Sequence, residues 1–94
     1  MPSDAPRRYA VILERQAEKA LRRLPRDVLR RVDTIILGLA DDPRPAGCKK
    51  LVGSENLYRL RVGAWRVIYA VEDERLIVLV IDIEARNHAY RRLT

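Results

Sequence analysis

The chain has 94 residues, 48% of them hydrophobic, and a formal net charge of +6. This length excludes two independent cores, so a single domain over residues 1–94 is expected. With no Phe, its core must come from Leu, Ile, Val and Ala, and Trp65 and the tyrosines are its only aromatics. One cysteine, Cys48, and one histidine, His88, leave no internal disulfide and no Cys/His zinc cluster, so a reduced protein without metal or cofactor is expected.

The opening MPSDAPRR lacks the apolar run of a signal peptide, and the longest apolar stretch, Leu76 to Ile81, is too short to cross a bilayer. A cytoplasmic protein with no membrane partner is expected. Positive charge favours an acidic partner, and its distribution is uneven. From Arg44 to Val71 six basic residues (Arg44, Lys49, Lys50, Arg59, Arg61, Arg66) stand against one acid, Glu55.

Tyr9 to Leu13 is short, apolar and partly β-branched, which predicts an opening strand. From Glu14 to Leu24, Ala17, Ala20, Leu21 and Leu24 recur at helical spacing with charges between them. Pro25 ends that helix and opens a second one, running to Ala40, with Val28, Val32, Ile35, Ile36 and Leu39 on one face. The two form an antiparallel helical hairpin. Two prolines and a glycine between Asp41 and Gly47 then impose a loop, and Lys49 and Lys50 continue it. Three strands follow at Leu57 to Val62, Trp65 to Val71 and Leu76 to Ile83, and their short connections force antiparallel pairing. The last is apolar at nearly every position, as a central strand covered on both faces would be. A short basic tail runs from Ala85 to Thr94, and the fold class is α+β.

With Gly63 and Ala64 as a two-residue hairpin loop, Val62 faces Trp65, Leu60 faces Val67 and Tyr58 faces Tyr69, building an apolar face. The same register places Arg61 opposite Arg66 and Arg59 opposite Ile68 on the other, solvated face. A single exposed arginine is ordinarily just a solvated position. Three that converge, two of them directly opposed at a cost in repulsion, point to a bound anion such as a phosphate backbone. Lys49 and Lys50 either line the approach to that face or are ordinary surface lysines. In the tail, a helix makes Arg86 and Tyr90 neighbours and turns His88 away, whereas an extended chain puts all three on one side.

The order of elements and the strings LRRLP, DDPRPAGCKKLVGSENLYRLRVGAWRVIYAV and ARNHAYRR resemble the RelE/ParE superfamily of toxins from bacterial toxin–antitoxin systems over nearly the whole chain. The combination of PRP, G.KKL, YRLRVG.WRVIY and a closing R...Y looks most like the RelE branch. That branch consists of ribosome-dependent endoribonucleases that cut messenger RNA; the ParE branch poisons DNA gyrase. The resemblance implies a cognate antitoxin, ribosome and mRNA as partners. It places the basic sheet residues on Arg59, Arg61 and Arg66, and the tail arginine and tyrosine on Arg86 and Tyr90. Ala85 stands where many relatives carry histidine or lysine.

An RNA 2′-hydroxyl can itself attack the adjacent phosphate, a reaction that requires no metal. Arginines stay protonated, so Arg61, Arg66 and Arg86 suit charge stabilisation and not proton transfer. Guanidinium neighbours would favour the phenolate of Tyr90 and fit it for a general base; His88 is the alternative acid or base. Trp65 and Cys48 read as packing residues.

Overall fold

A computed structural model of the chain describes residues 8–85. Strand β1 (Ala10–Leu13) leads into helices α1 (Arg15–Arg22) and α2 (Arg26–Gly38), followed by strands β2 (Lys49–Lys50), β3 (Leu57–Val62), β4 (Trp65–Glu72) and β5 (Ile77–Ala85). The sheet order is β1-β5-β4-β3-β2. As expected, β3, β4 and β5 pair antiparallel. The first strand joins the far side, parallel to β5, with Ala10 through Leu13 opposite Ile77 through Val80. The helical hairpin carries the chain from β1 across the sheet to β2 at the opposite edge, and the chain returns through β3 and β4 to β5.

Both helices are shorter than their apolar stripes. The amides of Arg23 and Leu24 bond back three residues to Ala20 and Leu21, and those of Leu39 and Ala40 to Ile36 and Leu37, so each last turn tightens. Pro25, at the N-cap of α2, accepts from the Leu29 amide and so starts the second helix where the first has ended. Lys49 and Lys50, expected in a loop, instead form a two-residue edge strand against Arg59 and Tyr58. A strand this short and this charged presents little edge to a foreign chain.

The helices lie on one face of the sheet. Ala17, Val32, Ile36 and Leu39 pack with Leu60, Val67, Tyr69, Val78 and Val80 into one buried cluster, and Tyr58 and Trp65 join it partly buried. Strand β5 sits inside the sheet between β1 and β4. It is not covered on both faces: Ile77, Leu79 and Ile81 remain half-buried on or beside the side that no helix among the described residues covers.

A bulge shapes this strand. Ile68 pairs with Asp82 but Tyr69 pairs with Val80, so Ile81 is the extra residue. Without it, Asp82 would share the inward face of Val78 and Val80. With it, the alternation shifts by one residue, Ile83 turns into the core, and Asp82 and Glu84 move to the open face beside Ile68 and Arg66.

Candidate nucleic-acid interface

The β3–β4 hairpin turns at Gly63, whose φ of 62° is open to glycine at little cost, and only the first loop residue needs a positive φ. That two-residue turn fixes the expected register: Arg61 opposite Arg66, Arg59 opposite Ile68, Leu60 opposite Val67 and Val62 opposite Trp65. Two rows cross the open face. One runs Arg61, Arg66, Glu84; the other runs Lys49, Arg59, Ile68, Asp82.

The three arginines differ in depth. Arg61 is exposed and Arg59 half-buried, whereas Arg66, expected to be solvated like the others, is only 8% exposed. The reason is position: Arg66 lies on a strand flanked on both sides, and Arg61 on a strand whose outer neighbour is two residues long. The Nε of Arg66 is buried and meets no hydrogen-bond acceptor among the described residues. A buried cationic donor without a partner is costly, and an anion held between Arg61 and Arg66 would remove both that cost and their mutual repulsion. Beside them Gly47, Lys49, Arg59 and Arg61 line a small polar hollow of about 120 Å³.

Lys49 and Lys50 separate. Lys49 shares the face of Arg59, while the register puts Lys50 opposite Tyr58, on the side of the helices. Arg44, counted in the basic zone, belongs to neither group: its guanidinium is held by Asp73 and Tyr58. Trp65 and Cys48 are half-buried against the core, as packing residues should be. Arg86, His88 and Tyr90 lie outside the described residues. Asp82 and Glu84 were not foreseen on this face. The only signal for them is the pair of acids interrupting an apolar run, which strict alternation would have driven partly into the core.

A sheet roofed by two helices on one side and carrying opposed guanidinium groups on the other defines a small α+β protein with a cationic open face. Residues 11–90 match the family described as ParE toxin of type II toxin-antitoxin system, parDE. Toxin RelE of Mycobacterium tuberculosis is 32% identical over 92 residues, covering 97% of this chain and 93% of that protein. Among solved structures, RelE in the archaeal RelE-RelB complex from Pyrococcus horikoshii is 32% identical with a TM-score of 0.75, covering 83% of this chain and 94% of that one. The intact E. coli RelBE toxin-antitoxin complex matches at 26% identity and a TM-score of 0.72, covering 82% and 95%. The chain belongs to the RelE/ParE superfamily of type II toxin–antitoxin toxins.

Proposed function

We propose that this toxin is a RelE-type endoribonuclease that cuts messenger RNA on the ribosome and is neutralised by a cognate antitoxin. One observation carries the reading: Arg61 and Arg66 face each other on the open side of the sheet, and the buried Arg66 Nε has no acceptor among the described residues. RelE-named relatives support the branch, and solved neighbours that are complexes with RelB support an antitoxin partner.

The chemistry follows from what arginines can do. The 2′-oxygen of the RNA attacks the neighbouring phosphorus, the bond to the 5′-oxygen of the next nucleotide breaks, and a cyclic phosphate and a free 5′-hydroxyl result. Arg61, Arg66 and Arg86 stabilise the charge that grows on the phosphoryl oxygens, an interaction stronger in the transition state than in the ground state. Tyr90 takes the proton from the 2′-hydroxyl, with His88 as the alternative, the departing 5′-oxygen takes up a proton from solvent, and Lys49 and Arg59 hold the flanking backbone. Purified protein added to translating ribosomes with a defined message in the decoding site is expected to cut that message; intact message contradicts the reading.

A second reading has its own support, since the matching family is described by its ParE members. In it the arginine face binds without chemistry and the target is DNA gyrase. Inhibition of gyrase supercoiling, together with intact message on the ribosome, would select it.

A further inference from the structure

Away from the arginine face, a groove runs between α1 and the end of β5. Strand β1 pairs only with residues 77–80, so the outer edge of residues 81–85 borders α1 instead. Two hollows of about 480 and 270 Å³ share Ala20, Arg23 and Ile83 and run on as one. Arg15 and Lys19 of α1 and Arg23 at its C-cap form one wall. All three are exposed, and no ion pair among the described residues engages them. Four-residue spacing sets them about 6 Å apart along the helix axis, close to the repeat of successive phosphates on an extended strand. The floor combines Ala20, Leu24 and Ile83 with two carboxylates, the buried Asp82, which accepts from the Ile83 amide, and the half-buried Glu84, and the far end is Trp65, half-buried.

We propose that this groove is a second RNA-binding surface, taking a single-stranded segment whose phosphates follow Arg15, Lys19 and Arg23 and one of whose bases stacks on Trp65. A row of cations ending in an aromatic platform is what sequence-tolerant binding of a single strand requires. An extended peptide fits less well. The Ile83 amide of β5 already donates to Asp82 Oδ1 at 2.8 Å, so this amide is not open to an added strand. The groove also leads to the arginine face: Trp65 precedes Arg66 in β4, and Glu84, which lines the groove, is the register partner of Arg66. Trp65 lies on the helix side of the sheet, so a strand leaving it meets Arg61 and Arg66 only by passing round the hairpin end of the sheet. The inference rests on the reading that the arginine face holds RNA.

Trp65 is the sole tryptophan of the chain, so its emission reports on the groove directly. The full-length protein is titrated with a short end-labelled oligouridylate, following Trp65 fluorescence and the anisotropy of the label. RNA is expected to quench Trp65. Replacing Arg15, Lys19 and Arg23 together by Gln, which preserves helix propensity, should lower affinity tenfold or more at low salt. It should also reduce the slope of log K against log salt by about 2, at ~0.7 per phosphate contact on a single strand. Arg61→Gln should weaken binding yet keep the quenching. Unchanged affinity and slope in the triple variant, with Arg61→Gln still impaired, overturns the groove and spares the arginine face. Absence of RNA binding by the unaltered protein sinks both. Quenching by a polyglutamate peptide and not by RNA overturns the inference in favour of a protein occupant.

Discussion

Arg44 and Asp73 meet in a two-point ion pair, Nη2 donating to Oδ2 at 2.7 Å and Nη1 to Oδ1 at 3.1 Å. The pair joins the loop after α2 to the turn between β4 and β5. Tyr9 adds its hydroxyl, donating to Asp73 Oδ1 at 2.7 Å, and Arg44 Nε donates to the Tyr58 hydroxyl at 2.9 Å. Four segments of the chain are thus tied at one corner, and one arginine of the basic zone serves the fold instead of the open face.

This corner makes stability depend on acid. The hydrogen bonds from Arg44 and then Tyr9 hold the Asp73 carboxyl down at about 2, below its ordinary 3.8. A carboxyl depressed in the folded state stabilises above its unfolded value and loses that contribution as pH falls toward the folded one. Asp73→Asn should therefore be less stable than the unaltered protein at neutral pH, and the gap should close between about pH 4 and pH 2. Urea denaturation at a series of pH values measures it, and a constant gap contradicts the assignment.

Tyr69 is fully buried, and its hydroxyl donates to the Pro43 carbonyl at 2.8 Å. Tyr69→Phe leaves that carbonyl without its donor and should cost about 1–2 kcal/mol in denaturant unfolding. The ring stack with Tyr58, 5.8 Å between centroids, should survive the change. Burial, reinforced by Cys48, pushes the Tyr69 phenol well above its ordinary range, so spectrophotometric titration should show a tyrosine ionising late that disappears in the variant.

Gly63→Ala tests the hairpin that sets the arginine register. At φ 62° a Cβ is strained, and it would also sit 3.4 Å from Arg31 Nη2. The expected loss is about 1 kcal/mol, read from the thermal or denaturant midpoint. A neutral outcome would mean that the turn does not need its left-handed first residue.

The hairpin register was legible because two loop residues and a period of two leave one solution that buries Leu60, Val62, Val67 and Tyr69 together. The stripes of α1 and α2 were legible for the same reason, at a period of 3.6. Depth was not: alternation says which face Arg66 takes, but its burial depends on neighbours distant in sequence. Nor was the bulge at Ile81, since local pattern does not announce an extra residue, and so two carboxylates reached the arginine face unforeseen. The parallel pairing of β1 with β5 is likewise a long-range event with no local mark.

The division of roles between sheet and tail can be separated by kinetics. Tyr90→Phe removes only a hydroxyl. If Tyr90 carries the proton, single-turnover cleavage on the ribosome should fall roughly 10²- to 10⁴-fold with binding nearly intact, and His88→Ala should have little effect. The reverse pattern moves the proton role to His88.

Arg61→Gln tests whether the open arginine face holds the scissile RNA. Arg61 is exposed, so its loss leaves the core untouched, unlike substitution of the buried Arg66. With translating ribosomes programmed by a defined message, the unaltered toxin should cut in the decoding site. Arg61→Gln should bind more weakly and cleave about 10²-fold more slowly at saturating toxin. Cleavage by Arg61→Gln at the full rate would show that the arginine face does not hold the scissile RNA, and an intact message with the unaltered protein would show that the toxin is not a ribosome-dependent nuclease.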